Sequence, residues 1–237
     1  MGKHLFTYLL FLWVGVMSGL AFVVQASPNF YFKQLSQQDG LPQNFVRSIM
    51  LDHNGFFWIG TSRGVSRFDR HEFKNYSAVP DSATSLPDNL IHFIVEDAQN
   101  NIWISTSKGV CVYQRKSDDF KRIRWGKRAL QAHSYMLTDD ALLLGGRGVI
   151  YRWDYARCVM DTVPIRWKER SYAFFNYMSS WRKHYWVLSS RWEGMWILDC
   201  RTGEITRPEF CREREIMAVK VDSRDNLWIS PYVKGLD

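Results

Sequence analysis

The chain has 237 residues, 46% of them hydrophobic and 16% aromatic, which is ample for a packed core and excludes a disordered chain. Its formal net charge of +7 points to nucleic acid, a membrane surface or an acidic ligand as partner. The basic residues are dispersed: only Lys121, Arg122, Arg124, Lys127 and Arg128 gather, and that cluster reads as a solvated strand and turn.

In chain order, residues 1–26 read as a signal peptide. Lys3 and His4 precede an apolar stretch from Leu5 to Val24, and Val24-Gln25-Ala26 ahead of Ser27 resembles a small-residue cleavage site. The stretch is also long enough to serve as an uncleaved anchor. Either way, the remainder, residues 27–237, is expected outside the cytoplasm. Phe30 to Leu35 reads as one isolated strand.

From there one pattern recurs. Asp52 to Phe68 (DHNGFFWIGTSRGVSRF) aligns without a gap on Asp97 to Tyr113 (DAQNNIWISTSKGVCVY), which places Trp103 45 residues after Trp58. The first unit reads as strands Phe45 to Leu51, Phe56 to Thr61, Val65 to Phe68 and Glu72 to Tyr76. The second reads as Leu90 to Glu96, Ile102 to Thr106, Val110 to Gln114 and Phe120 to Arg124. A worn third unit, with Leu142 or Leu143 in place of the tryptophan, takes Tyr135 to Thr138, Leu142 to Gly145, Val149 to Trp153 and Val159 to Val163. A fourth, anchored on Trp186, takes Tyr172 to Met178, Tyr185 to Ser189, Met195 to Asp199 and Glu204 to Arg207. Ile216 to Val221 and Leu227 to Ser230, with Trp228, begin a fifth. Apolar runs such as FFWIGT imply strands covered on both faces, and stacked sheets supply that cover. Units of about 40 to 50 residues built from short strands are the mark of a β-propeller.

The expected fold is therefore all-β: a partial propeller of about four to five blades of four antiparallel strands, an open arc with unpaired edges, being the N-terminal piece of a longer protein or a truncated product. Closure into five blades with Phe30 to Leu35 would leave the last blade a strand short. The four cysteines, Cys111, Cys158, Cys200 and Cys211, are too few and irregular for a disulfide framework. Cys200 and Cys211 can pair across a hairpin or stay as thiols. No CxxC spacing occurs, which leaves zinc and redox centres without support.

Candidate ligand-binding residues sit in the turn between the second and third strand of each unit. Arg63, Lys108, Arg147 and Lys234 directly precede a glycine, and Arg191 lies three residues before Gly194. Equivalent turns project from one face of a propeller, so these form a cationic arc around the channel. Trp192 and Tyr232, in the same turns, offer faces for a sugar ring. An acidic oligosaccharide bearing uronate or sulfate suits such an arc, since guanidinium pairs bidentately with those anions; the alternative is that long polar side chains are merely comfortable in exposed turns. Asp52-His53-Asn54-Gly55 and Asp222-Ser223-Arg224-Asp225-Asn226 lack the spacing of a calcium loop and read as turns. His53, His71, His92, His133 and His184 show no ligand spacing and no partnered nucleophile, and no GxSxG elbow is present. No metal, cofactor or catalytic residue is expected.

Phe32 to Ser77 (FKQLSQQDGLPQNFVRSIMLDHNGFFWIGTSRGVSRFDRHEFKNYS) and Ser85 to Tyr113 (SLPDNLIHFIVEDAQNNIWISTSKGVCVY) resemble the first two blades of the periplasmic propeller of hybrid two-component sensors, whose propellers are built from two-component-regulator repeats. The resemblance implies a periplasmic sensing module of a signal-transduction receptor. Its parent would be an inner-membrane, homodimeric histidine kinase acting through a phosphorelay, and would recognise oligosaccharides and control genes for polysaccharide use. It implies no enzyme activity and no nucleic-acid partner for this segment, which carries no kinase motif. The competing functions are a propeller lyase or hydrolase, which requires a histidine and a carboxylate converging at the channel mouth, and a protein-interaction scaffold.

Overall fold

The repeat is built around one aspartate. Asp52 Oδ1 accepts the backbone N–H groups of Asn54 (3.0 Å) and Phe56 (2.9 Å), and its Oδ2 accepts the Trp58 indole N–H at 3.0 Å. Asp97 repeats the arrangement with Gln99, Asn101 and Trp103, the indole bond being 2.7 Å, and Asp222 repeats it with Arg224, Asn226 and Trp228. Each carboxylate thus folds the turn and orients the anchor that follows it. Burial alone would raise the Asp52 carboxyl, but the hydrogen bonds from Trp58, Phe56 and Arg115 outweigh it and hold the group below the usual carboxylate range. The third residue after each aspartate must turn left-handed: Gly55 (φ 85°), Asn100 (φ 63°) and Asp225 (φ 61°) are residue types that tolerate it.

The computed structural model describes residues 32–168, 172, 174–211 and 215–231. The expected signal peptide, the first two residues of the expected strand Phe30 to Leu35, and Tyr232 and Lys234 lie outside them. Residues 1–34 and 35–237 separate into two units. Of the first only 32–34 are described, and Phe32 to Leu35 carry no strand, because no neighbouring strand pairs with their backbone.

The second unit is all β apart from two 3-10 turns among the described residues. Sheet one is a meander of β1 (Val46–Leu51), β2 (Phe57–Thr61), β3 (Gly64–Phe68) and β4 (Phe73–Tyr76). Sheet two takes β5 (Ile91–Glu96), β6 (Ile102–Thr106), β7 (Gly109–Gln114) and β8 (Asp119–Arg122). A small exposed hairpin, β9 (Arg124–Trp125) and β10 (Arg128–Ala129), turns at Gly126 and accounts for the basic cluster as solvated strand and turn. Sheet three takes β11 (Ser134–Leu137), β12 (Ala141–Gly145), β13 (Ile150–Asp154) and β14 (Val159–Thr162). Sheet four takes β15 (Tyr177–Trp181), β16 (Tyr185–Ser190), β17 (Gly194–Asp199) and β18 (Ile205–Thr206). A last pair, β19 (Ile216–Val221) and β20 (Leu227–Pro231), forms a two-stranded fifth sheet among the described residues. All pairings in these sheets are antiparallel, and the first strands β1, β5, β11, β15 and β19 each contact the next. The architecture is a partial β-propeller. The first strand of sheet four starts at Tyr177 rather than Tyr172, because the backbone ahead of it is spent on the end of sheet three, where Phe174 bridges Arg147 and the Phe175 N–H reaches Gly146 O at 3.3 Å.

The core lies between the sheets. Trp58 is fully buried among Ile91, Ile94, Tyr113 and Phe120 of sheet two, and Trp103 among Leu142, Leu144 and Trp153 of sheet three. Register settles the worn repeats. Gly60, Ser105 and Gly145 face Ser48, Phe93 and Ser134 across the first hairpin of their sheets, which makes Leu143 the counterpart of Trp58. Leu143 packs against Phe175, Met178 and Leu188 of sheet four. In sheet four, Ser190 pairs with Gly194 as Thr61 pairs with Gly64, so the anchor position falls on Val187, packed on Ile216 and Val219, and not on Trp186. Trp186 is one residue out of phase and faces back toward sheet three. The long turn before Gly194 conceals this shift in the sequence, because a side-chain period of two sends neighbours to opposite faces. The Cys200 thiol is free, so a Cys200 to Cys211 bridge is not formed.

At the outer edge, Asp118 joins sheets one and two. Its carboxylate accepts the hydroxyls of Tyr76 (2.7 Å) and Tyr113 (2.5 Å), pairs with Lys74, and lies 3.7 Å from Arg67. Burial would raise this carboxyl, yet the bonds from Lys74, Tyr113 and Tyr76 hold it at about 2. A depressed folded-state value contributes stability that is complete above the unfolded carboxylate range and is lost as pH falls through it toward 2. Asp118→Asn should therefore cost about 1–2 kcal/mol at neutral pH, discounted for partial exposure, and the gap to wild type should narrow between about pH 4 and pH 2 in urea unfolding. A gap independent of pH would show that the carboxylate charge is not what joins the sheets.

Candidate functional site

Two local devices place side chains at one end of the arc. The first is the turn between the second and third strands. Thr61 Oγ1 donates to Gly64 O (2.9 Å) and accepts the Arg63 N–H (3.0 Å), Thr106 Oγ1 donates to Gly109 O (2.7 Å), and Ser190 Oγ accepts the Trp192 N–H (3.4 Å). The second is the position just ahead of the regular pairing of each innermost strand, which in β1 and β5 is a register irregularity. In β1 the register shifts between Val46 and Ser48, and in β5 between Ile91 and Phe93, leaving Arg47 and His92 as the extra residues of β-bulges. His133 and Asn176 hold the same position in sheets three and four: the His133 N–H bonds Gly145 O and the Asn176 N–H bonds Ser189 O, both at 2.8 Å. Bulges re-aim a side chain, and here one position in four successive blades delivers Arg47, His92, His133 and Asn176 to the channel mouth.

Three adjoining hollows of about 410, 220 and 380 Å³ open there, all lined by His133 and Asn176. The first adds Arg147, Tyr172, Phe174 and Trp192, the second Arg47, His92, Tyr177 and Arg191, and the third Tyr135 and Lys220. The His92 and His133 rings lie 4.2 Å apart, and His133 stacks on Phe174 at 3.9 Å and 5°. Arg47 Nε donates to Ile91 O at 2.8 Å, which fixes its guanidinium over the gap between blades one and two. Arg191 lies 4.7 Å over the Trp192 ring, and Asn176 Oδ1 accepts the Arg191 N–H at 3.1 Å. Burial, and then the Arg47 charge, depress His92; burial, His92 and Arg47 bring His133 to about 4. Both imidazoles are therefore neutral near pH 7.

The structure brings Arg147, Arg191 and Trp192 of the expected set together at this mouth. Arg63 and Lys108 occupy equivalent turns but line none of the three hollows; Lys108 reaches Asp88 at 3.7 Å instead. Tyr232 and Lys234 lie outside the described residues. Arg47, His92, His133 and Asn176 were not singled out as ligands from sequence, since four different residue types make no motif. Their signal is positional: they stand eleven residues before Trp58, Trp103 and Val187, and ten before Leu143. Two histidines converge here, and among the described residues no carboxylate lines the three hollows.

Residues 40–63 and 85–108 match the family described as two component regulator propeller. Among solved structures, the extracellular domain of BT3049 from B. thetaiotaomicron, described as a hybrid two component system, superposes with a TM-score of 0.68 at 20% identity, over 83% of this chain and 29% of that one. The extracellular domain of BT4673 from the same organism gives 0.61 at 22% identity over 79% and 28%, and a second structure of it, described as a one component system, gives 0.64 at 20% over 86% and 31%. The chain thus spans less than a third of the length of these domains. A search of the curated proteins found no match. The pairing of Trp58 and Trp103 with the turns that open at Asp52 and Asp97 falls inside the matched stretches, so two stretches similar to two component regulator propeller repeats lie within a partial propeller folded like those extracellular domains.

Proposed function

We propose that this chain is the ligand-sensing propeller segment of an extracytoplasmic two-component receptor, periplasmic, within a membrane-anchored homodimeric parent, and that it recognises oligosaccharides to control genes for polysaccharide use. The observation that supports the reading is the channel mouth: a concave surface assembled from one repeat position of four blades, where Arg147, Arg191 and Asn176 offer hydrogen bonds beside the flat faces of Trp192 and Tyr172. Sugars are bound by that combination, because ring C–H faces stack on aromatic planes while hydroxyls need convergent polar partners. Trp192 is 68% exposed and already held by Arg191, so little ordering is left to oppose binding.

Calorimetry with matched panels of neutral and acidic oligosaccharides tests the reading. Binding by at least one of them is expected, and Trp192→Ala should weaken it about tenfold, or about 1.4 kcal/mol, without moving the melting temperature. Silence of both panels would sink it.

A further inference from the structure

We propose that the His92–His133 pair beside Arg47 is the seat of the anionic group of an acidic oligosaccharide, a uronate carboxylate or a sulfate ester, and that the pair takes up a proton from solvent as the anion binds. This rests on the sensing reading above and adds to it the charge of the ligand and its coupling to pH.

The charge pattern carries the argument. The cations that face the hollows come from three blades and the last strand pair: Arg47 on β1, Arg147 and Arg191 in their turns, and Lys220 on β19. The carboxylate whose charge reaches His92 is Asp88, and it is committed to Lys108 at 3.7 Å. His92 Nε2 also meets the Ser107 hydroxyl at 3.4 Å, a partner that serves either protonation state. A half-buried surface with this many cations and no lining carboxylate among the described residues is electrostatically incomplete, and an oxyanion completes it.

The histidines supply the coupling. Two imidazoles 4.2 Å apart, next to a guanidinium, cannot readily both carry charge, and burial adds to the cost. An anion seated against them offsets the Arg47 field and accepts an imidazolium N–H, so the protonated form is favoured in the complex. The free-state value of about 4 for His133 then marks the lower edge of a window in which the complex holds a proton that the free protein does not. Inside that window affinity rises as pH falls, by about tenfold per pH unit for one proton.

The test uses the whole chain with three probes of equal length: tetragalacturonate, a sulfated galactotetraose and the uncharged galactotetraose. Calorimetry from about pH 7.5 to about pH 5.5, in two buffers of different ionisation enthalpy, reads affinity and proton uptake together. The expected result is uptake of a proton with an acidic probe, an affinity gain of about tenfold per unit over part of that range, and no slope with galactotetraose. The acidic probe that binds more tightly identifies the anion. In the His92→Gln and His133→Gln double variant the slope should vanish, the acidic probe being bound no more tightly at about pH 5.5 than at about pH 7.5. A proton NMR titration of the wild-type imidazoles, needing no variant, should move His133 upward when the acidic probe is added. Binding of all three probes with equal affinity and no proton uptake overturns this inference and leaves the sensing reading standing. No binding by any probe at either end of the range overturns it together with that reading.

Discussion

Trp103→Ala should destabilise the protein by about 3–5 kcal/mol, whereas Trp228→Ala should cost less than about 1 kcal/mol, although both tryptophans occupy the same position in the repeat. Each indole N–H bonds the aspartate six residues earlier, at 2.7 Å and 2.9 Å. What differs is what lies against the ring. Trp103 is 1% exposed and lies 5.4 Å from Trp153, among Leu142 and Leu144 of the next sheet, while Trp228 is 64% exposed on a face that no further sheet covers among the described residues. Truncating the first opens a cavity between two sheets and leaves the buried Asp97 Oδ2 with the Asn101 Nδ2 bond (3.0 Å) but without the indole N–H, adding a lost buried hydrogen bond to the lost transfer energy. Truncating the second removes surface that water already wets. Chemical unfolding of the two variants reads the difference directly. Equal losses would mean that the indole stabilises its own sheet through the aspartate bond alone, and that stacking of sheet on sheet contributes little at this position.

The same contrast explains which parts of the architecture a reader of the sequence can see. Blades one and two are legible because an aspartate-closed turn, a tryptophan and a glycine recur at fixed offsets, and each of the three has a physical task that few other residues perform. Sheet three loses both aspartate and tryptophan together, Leu143 filling the gap, which is coherent: without an indole N–H one of the two tasks of the carboxylate is gone. Sheet four misleads because Trp186 is next to the true anchor, Val187, and a tryptophan draws more notice than a valine. Strand identity survives such an error, but the face assignment inverts.

The channel mouth was half legible for a related reason. Arg147, Arg191 and Trp192 lie in a turn marked by its glycine, so position in the repeat and residue type announce them together. Arg47, His92, His133 and Asn176 share one register position, a β-bulge in β1 and β5, and the register between two strands is a property of the backbone that no residue type encodes. Only after the sheets are paired does it become evident that four unlike side chains are repeats of one another.

Gly64→Ala should be the second severe substitution, costing about 3 kcal/mol or more, while Gly55→Ala, also at a positive φ, should cost about 1 kcal/mol. Gly64 adopts φ 113°, and a Cβ there would stand 2.2 Å from the carbonyl oxygen of Tyr76, whereas around Gly55 (φ 85°) nothing lies within 4 Å of the added atom. The Gly55 variant bears backbone strain alone. The Gly64 variant must also part β3 from β4, and the damage spreads along what that pairing holds: Val65 is paired with Tyr76, the Tyr76 hydroxyl bonds Asp118 of sheet two, and the Gly64 N–H itself reaches Asn89 O at 2.9 Å. The substitution therefore strikes one sheet and two of its ties to the next. Coupling of this kind has a test beyond the size of the loss. In the double variant Gly64→Ala with Asp118→Asn, the costs should sum to less than the two single losses, since the first change already loosens what the second removes. Strict additivity would confine the clash to sheet one and leave the packing of Trp58 and the Arg47 bond to Ile91 O as what holds it to sheet two.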